Sequence, residues 1–239
     1  LRLIKQAKEQ TTLPIIGSIH CNTPHEWPAF ATKLEEAGID GLELNIAIMP
    51  FDESLASEMI EDKYVEIITE VKKYVSVPVA VKIGPMFTNV YRLVKRLGEA
   101  GADAVVLFNR FFQPDIDIEN ERVVRGSKFS SPEELTQSLR WVSLLSNRVD
   151  CDLAGNTGIH TTEGMIKHLL AGASAVQVCT TIYKNGFEVI GGMLTDLETW
   201  LQEHNYSSVS KFQGKLGSDH ANQAAFTRIQ YMKKTLAEE

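Results

Sequence analysis

The sequence predicts an α/β fold built from repeated βα units. Three observations predict it: apolar runs of strand length alternate with amphipathic stretches of helix length, the runs are rich in Val, Ile and Leu, and a glycine ends several of the helical stretches. Nearly continuous apolar runs are typical of parallel strands that are covered on both faces. The sheet is therefore expected to be parallel.

Six strand candidates alternate with helix candidates along the chain. Strands are predicted at Leu13–Ile19, Gly41–Ala47, Val77–Gly84, Ala104–Asn109, Val149–Gly155 and Ala175–Thr180. Helices are predicted near residues 25–37, 55–74, 87–100, 132–146, 161–172 and 186–204, with two more near 207–216 and 220–237. A helical pattern also covers residues 1–10, and because it opens at Leu1 without a Met, we expect the chain to be a fragment.

A short sequence motif recurs where a helix candidate is followed by a strand candidate. It is Glu36-Ala-Gly-Ile-Asp40 in the first case, Glu99-Ala-Gly-Ala-Asp103 in the second and Leu170-Ala-Gly-Ala-Ser174 in the third. Glycine takes the left-handed conformation at a helix C-terminus without a Cβ penalty. The repeated motif predicts helix-to-strand transitions, and hence βα units along the chain.

Two architectures can be built from such units, a doubly wound open sheet and a (β/α)8 barrel, the TIM barrel. A TIM barrel needs eight units and typically about 250 residues, whereas about six units are visible in these 239 residues. No Gly-x-Gly-x-x-Gly dinucleotide fingerprint follows a strand. We therefore predict a TIM barrel that lacks its first two βα units, as a single domain over residues 1–239.

The stretch 111–131 is too long for a simple βα loop. Its residues alternate in character between Asp115 and Arg125, which predicts a β-hairpin over the mouth of the barrel. Long excursions at the carboxyl ends of strands usually serve an active site or a subunit contact.

The composition excludes several classes of protein. With 24 Lys+Arg against 31 Asp+Glu, the formal net charge is −7, which argues against a duplex nucleic-acid binder. No apolar run approaches the ~20 residues of a membrane span, and no signal-peptide pattern is present. The cysteines, Cys21, Cys151 and Cys179, have no paired spacing, which is typical of reduced thiols in a cytoplasmic protein. The histidines have no metal-ligand spacing, so no metal is expected.

Polar residues at the carboxyl ends of the predicted strands are the candidate site, because barrel enzymes place their chemistry there. Lys82 lies in an apolar strand, where it needs either an internal carboxylate or an anionic or electron-rich ligand. Asn45 and Asn109 lie at the ends of two other strands, where each amide binds either a ligand or a neighbouring strand or loop of the same chain.

Two loops rich in small residues follow the last two strands. Their main-chain N–H groups can converge on an anion, and the loops after strands 7 and 8 of TIM barrels frequently hold phosphate. The alternative is a pair of tight turns in which the glycines only permit the backbone conformation of the turn and bind no ligand. The predicted phosphate site comprises Gly155, Asn156, Thr157, Gly158, Cys179 and Thr180.

Several sequence motifs together resemble those of the dihydroorotate dehydrogenase family, and in particular of its bacterial dihydroorotate dehydrogenase-like subgroup. They are Leu42-Glu-Leu-Asn45, Val77-Pro-Val-Ala-Val-Lys-Ile-Gly-Pro85, Leu107-Phe-Asn-Arg-Phe-Phe-Gln-Pro-Asp-Ile-Asp117, Gly155-Asn-Thr-Gly-Ile159, and the tail from Gln177-Val-Cys-Thr-Thr to Phe212-Gln-Gly-Lys-Leu216. The motifs keep the order of the family and cover essentially the whole chain. Their combination is specific, although each motif alone is not.

The resemblance implies an FMN-containing TIM barrel that oxidises dihydroorotate, or a related dihydropyrimidine, with hydride transfer to the flavin in pyrimidine biosynthesis. It also implies a cytoplasmic homodimer acting on a small molecule. Lys82 matches the lysine that approaches the flavin ring, and Asn45 and Asn109 match amides that bind flavin and substrate. The loops at Gly155–Gly158 and Cys179–Thr180 match those that hold the FMN phosphate.

One departure from the family concerns the catalytic base. Family members carry a Cys or Ser after the strand that ends in Asn45, near the general base, whereas this chain has Ile48 and Met49 there. Neither side chain accepts a proton, so the base stays unassigned, with Asp52 and Ser54 in the following turn as candidates. Two alternatives therefore stay open: a phosphate-binding barrel lyase or isomerase that uses Lys82 as a base or Schiff-base former, and a flavin-binding barrel without dihydroorotate activity.

Overall fold

The structure is a computed structural model that describes residues 1–21, 26–49, 51–217 and 225–227. Six parallel strands form one sheet in the order β1-β2-β3-β4-β7-β8, and β5 and β6 form a separate antiparallel hairpin. The strands are β1 Ile16–Ile19, β2 Gly41–Asn45, β3 Val79–Ile83, β4 Ala104–Leu107, β5 Pro114–Asp117, β6 Arg122–Arg125, β7 Asp152–Gly155 and β8 Ala175–Val176.

Helix α1 precedes the first strand, and the later helices alternate with the strands of the sheet and cover its outer face. They are α1 Arg2–Gln10, α2 Glu26–Glu36, α3 Ser57–Val71, α4 Val90–Glu99, α5 Leu135–Leu145, α6 Thr162–Ala171, α7 Thr180–Asn185 and α8 Glu188–Glu203, with short 3-10 turns at Pro132–Glu134 and Val209–Lys211. Within the described ranges, no helix combines the length and the apolar character needed to cross a membrane.

The two faces of the sheet differ sharply in character. Side chains of consecutive strand residues point to opposite faces, while paired residues on parallel neighbours share a face. The outer face carries buried apolar residues such as Leu44, Val81 and Leu107, which pack against the helices in one core. The inner face carries polar side chains, among them Glu43 and Lys82.

The sheet is strongly curled. Gln177, directly after β8, hydrogen-bonds to both Glu43 of β2 and Lys82 of β3, although four strand-to-strand steps separate β2 from β8. In a flat sheet, four steps of about 4.8 Å would hold those strands roughly 19 Å apart. The contact therefore requires the inner face to be concave, and the sheet is the part of a TIM barrel that six strands supply.

Most predicted elements are confirmed, with strands that are shorter than expected. The hairpin predicted within 111–131 is present as β5 and β6, paired from Pro114 to Arg125. The three predicted helix-ending glycines, Gly38, Gly101 and Gly172, all have a positive φ, which an L side chain rarely adopts.

Three predicted elements need comment. The strand predicted over Ala175–Thr180 ends at Val176, and helix α7 begins at Thr180. The helix predicted over 207–216 is wrong, because only Val209–Lys211 form a 3-10 turn, after which Phe212 inserts into the apolar cluster against α6 and α8. The helix predicted over 220–237 lies outside the described residues, apart from 225–227, which are helical.

Candidate active site

The carboxyl ends of β2, β3 and β4 bring the predicted amides together. The Oδ1 atom of Asn45 accepts a hydrogen bond of 2.7 Å from Nδ2 of Asn109, and Asn109 N–H donates to the carbonyl of Ile83 at 2.8 Å. In the described part of the chain, Nδ2 of Asn45 and Oδ1 of Asn109 have no protein partner. The pair therefore presents one donor and one acceptor to a ligand.

Lys82 lies next to a carboxylate of the protein and is also partly accessible from the mouth of the sheet. Its Nζ donates to Oε1 of Gln177 at 3.0 Å and lies 3.8 Å from a carboxylate oxygen of Glu43. The Lys82 side chain is 15% exposed and that of Glu43 only 5%. An ammonium group has three donors, so the internal partners leave Lys82 able to bind a ligand as well.

Two residues that the sequence-based prediction did not include, Glu43 and Gln177, contact Lys82. Glu43 accepts from Ser18 Oγ at 2.8 Å through one oxygen and from Gln177 Nε2 through the other. The available signal was a carboxylate between two leucines in a buried strand, because a buried acid is almost always paired. Gln177 gave no comparable signal, since its partners are far away in the sequence.

The loop after β7 is held by its own side chains. The Nδ2 atom of Asn156 and the hydroxyl of Thr157 both donate to the carbonyl of Phe108 at 2.9 Å, and Asn156 N–H donates to the carbonyl of Leu107. The main-chain N–H groups of Thr157 and Gly158 have no acceptor among the described residues. These two donors, rather than the side chains, are available to an anion.

The two glycines of this loop also serve the geometry of the fold. A Cβ on Gly155 would lie 2.3 Å from the ring of His168 on α6, and a Cβ on Gly158 would lie 2.2 Å from the main-chain nitrogen of Leu135. Gly158 also has a φ of +81°. Gly155 is therefore required for helix packing, while Gly158 combines a tight turn with an open N–H group.

The loop after β8 adds further donors next to β7. Thr180 Oγ1 accepts from the N–H of Ser130 at 3.2 Å, and the Thr181 hydroxyl donates to the carbonyl of His160 at 3.1 Å. The N–H groups of Thr180 and Thr181 have no acceptor in the described part of the chain. Cys179, directly before α7 and part of the predicted phosphate site, is exposed.

The segment at the usual base position is apolar, as the sequence indicates. Met49 is exposed, Ile48 is half-buried, and the Ile48 N–H lies 3.4 Å from the Tyr64 hydroxyl. The nearby candidates Asp52 and Ser54 are exposed and bind one another, since the Ser54 hydroxyl and N–H both donate to the Asp52 carboxylate. Those bonds hold the pKa of Asp52 below its usual range.

His20 brings a proton-accepting nitrogen to the same edge of the sheet. Its Nδ1 lies 2.8 Å from the main-chain carbonyl of Asn45. A carbonyl only accepts, so Nδ1 carries the proton and the Nε2 of the neutral ring is an acceptor. A cavity of about 1030 Å³ between α2 and α3 reaches His20 and Ile46–Ile48 at one end. No group of three or more metal-ligating side chains exists within the described ranges.

Comparison with known proteins assigns the chain to a family. The family model for dihydroorotate dehydrogenase matches residues 1–201. The chain is 33% identical over 212 residues to the catalytic subunit of dihydroorotate dehydrogenase B (NAD(+)) from Pyrococcus abyssi, covering 87% of this chain and 70% of the relative. It is 30% identical over 222 residues to the corresponding subunit of Thermoplasma volcanium, covering 90% and 70%.

A bacterial relative agrees with the archaeal ones. The catalytic subunit of dihydroorotate dehydrogenase B (NAD(+)) from Geobacter sp. strain M21 is 31% identical over 216 residues, covering 85% of this chain and 68% of the relative. The chain therefore belongs to the dihydroorotate dehydrogenase family. That family is built on the TIM barrel and consists of flavoprotein oxidoreductases that act on CH–CH groups, which confirms the predicted fold class and family.

Proposed function

We propose that this protein is an FMN-dependent oxidoreductase that oxidises dihydroorotate, or a related dihydropyrimidine, in pyrimidine biosynthesis. The observation that carries the proposal is the joint placement of Lys82, the Asn45–Asn109 pair and unpartnered N–H groups at one edge of a curled parallel sheet. Family membership supports the same reaction class.

The residues present fit the parts of FMN. The N–H groups of Thr157, Gly158, Thr180 and Thr181 would hold the phosphate, because unpaired main-chain donors at neighbouring loops favour an anion. Lys82 would meet the electron-rich edge of the flavin ring. When bound, FMN would supply the acceptor for the hydride of the substrate ring.

The amide pair and His20 would handle the substrate. Nδ2 of Asn45 and Oδ1 of Asn109 offer a donor and an acceptor that match the alternating N–H and carbonyl groups of a dihydropyrimidine edge. Oxidation of a CH–CH bond releases one hydride and one proton, so the site needs a proton acceptor as well. We assign that proton to Nε2 of His20, which would act in place of the family's Cys or Ser.

The first experiment is an absorbance spectrum of the purified protein, followed by anaerobic addition of dihydroorotate. A flavin band that bleaches supports the proposal. A protein with no flavin band would instead favour the phosphate-binding lyase or isomerase, and a band that persists would favour a flavin-binding barrel with another substrate. The placement of Lys82 beside Glu43 already weighs against a Schiff-base lysine, which acts as a neutral amine in apolar surroundings.

The relatives' names bear on the assembly of the protein. They are called catalytic subunits of an NAD(+)-linked enzyme, so we propose that this chain also works with a second, NAD-linked subunit in the cytoplasm. Homodimerisation, expected from the resemblance, is part of the same proposal. Light scattering of the purified protein, alone and with candidate subunits, tests both.

A further inference from the structure

The inner face of the sheet holds a buried network around Lys82. Gln177 donates through Nε2 to one oxygen of Glu43 and accepts at Oε1 from Lys82 at 3.0 Å. Ser18 donates to the other oxygen of Glu43 at 2.8 Å. Both ends of the Gln177 amide and both oxygens of the carboxylate are therefore engaged, which fixes the orientation of each group.

The amide keeps the ammonium and the carboxylate apart. The Lys82 nitrogen lies 3.8 Å from the nearest Glu43 oxygen, whereas a direct hydrogen bond between such groups is about 2.7–2.9 Å long. Without Gln177, Lys82 would be free to close onto Glu43. With it, the ammonium is held at a defined place and keeps donors for the mouth of the barrel.

We propose that Glu43 and Gln177 are positioning residues that set the reduction potential of the bound flavin through Lys82. Gln177 holds the ammonium towards the flavin ring, and the Glu43 carboxylate offsets part of its positive charge. This inference rests on the proposed function, because it takes a flavin to be the group that Lys82 meets.

The direction of the effect follows from electrostatics. Reduction adds negative charge to a flavin ring, so a nearby cation raises the potential and a nearby anion lowers it. Glu43→Gln removes the anion and leaves Lys82 tethered, which should raise the potential. Gln177→Met removes the hydrogen bond that holds Lys82, without a change of charge. Lys82 then pairs with Glu43 and moves away from the flavin ring, which should lower the reduction potential.

The test is a redox titration of the FMN-loaded protein against indicator dyes. Each of the two variants should shift the reduction potential by about 30 mV, upwards for Glu43→Gln and downwards for Gln177→Met. For a two-electron couple, that shift is a tenfold change in the affinity of the protein for reduced flavin relative to oxidised flavin. In a Lys82→Met background, Gln177→Met should cause no further shift, because its effect passes through the lysine. Asp152→Asn is the matched control: Asp152 lies on the same face but binds Ser174 at 2.6 Å, and its loss should leave the potential unchanged.

The outcomes separate this inference from the proposed function. A wild-type protein that binds no flavin overturns both. A flavin-loaded protein in which Glu43→Gln and Gln177→Met leave the potential unchanged, or move it in the same direction, overturns the inference alone. If Gln177→Met does not fold, Gln177→Ala replaces it: the shorter side chain also releases Lys82 without a change of charge and should lower the potential.

Discussion

At the scale of the residue, the proposed function makes His20 the proton acceptor of this site. The main-chain carbonyl of Asn45 fixes the tautomer of the ring, so Nε2 is the basic nitrogen. The neighbouring Ile48 and Met49 cannot take part in proton transfer. A general base in the correct place contributes typically 10²–10⁴-fold to a rate, which makes the residue testable by kinetics.

We expect His20→Gln to lower the kcat for dihydroorotate by about 10²-fold or more and to leave the flavin spectrum unchanged. Adding Met49→Cys to that variant should restore part of the rate, because a thiol then lies directly before Pro50, at the position where the resemblance places one. His204→Gln is the control, since His204 is an exposed residue at the end of α8, where it hydrogen-bonds to the carbonyl of Trp200 and stacks on the Trp200 ring. Full activity in His20→Gln would rule out His20 as the base.

At the scale of the elements, α6 packs on β7 through Gly155 and His168. His168 is fully buried, its Nδ1 donates to the carbonyl of Gly164 at 2.9 Å, and its Nε2 lies 2.9 Å from the hydroxyl of Ser138. The imidazole fills the space that the missing side chain of Gly155 leaves. The contact fixes the strand directly before the proposed phosphate loop.

We expect Gly155→Ala to destabilise the protein by about 1–3 kcal/mol, the usual cost of overpacking a core. Gly191→Ala is the control: nothing lies within 4 Å of a Cβ built at Gly191 in α8, and alanine should stabilise a helix interior by about 0.5–1 kcal/mol. Urea unfolding measures both. The double variant Gly155→Ala/His168→Ala should lose less stability than the sum of the losses of the two single variants, because removing the ring relieves the clash. A loss equal to that sum would contradict a direct clash.

Burial also predicts a pH dependence of stability. Desolvation lowers the pKa of His168 in the folded protein, below the value of about 6.5 of an exposed histidine. Above pH ~6.5 the ring is neutral in both states, so its contribution to the free energy of unfolding is complete. As the pH falls below that value, the unfolded chain takes up a proton that the folded protein resists, and stability decreases.

The measurement is the free energy of unfolding between pH 5 and 8, for wild type and His168→Gln. The wild type should lose stability towards pH 5 more steeply than the variant. His160 adds a loss of the same sign in both proteins, because burial lowers its pKa as well. Identical slopes for the two proteins would refute the role of His168.

Element boundaries were predictable where a local signal marks them. The helix-ending glycines were correctly placed because φ is a local property. The end of β8 was missed because an apolar run does not show where pairing stops, and here the chain leaves the sheet after Gln177 N–H bonds to the carbonyl of Gly155. The helix over 207–216 failed because Phe212 is buried against Trp200 and Tyr206, contacts that helical periodicity does not reveal.

At the scale of the whole molecule, a ligand at this site would join the two sides of the curled sheet. Lys82 and the amide pair lie at the ends of β2, β3 and β4, whereas the open N–H groups follow β7 and β8. Binding that bridges both sides stabilises only the curled, folded sheet. A ligand at 100 times its Kd adds about 2.7 kcal/mol to the free energy of unfolding.

We therefore expect FMN to raise the Tm of the flavin-free protein clearly more than riboflavin does at equal concentration. Riboflavin has the same ring without the phosphate, so the difference isolates the loops at Thr157–Gly158 and Thr180–Thr181. Differential scanning fluorimetry gives the comparison. AMP serves as the control for an unspecific phosphate effect. Equal shifts with FMN and riboflavin would contradict the proposed phosphate site.

The curvature of the sheet could not be predicted from local patterns. It depends on contacts such as that between Glu43 and Gln177, which are 134 residues apart. Lys82, Asn45 and Asn109 could be identified because each is a polar residue in or at the end of an apolar strand. Their actual partners became evident only when the fold brought distant strands together.

The alternation between an apolar outer face and a polar inner face has a consequence for the evolution of this protein. Along β2, Leu42 and Leu44 face the helices, while Glu43 and Asn45 face the mouth. Substitutions at the apolar positions that face the helices would reduce the amount of folded protein. Substitutions at the polar positions that face the mouth would reduce the turnover of each folded molecule. Natural variation could therefore change the chemistry at every second strand position while the scaffold persists.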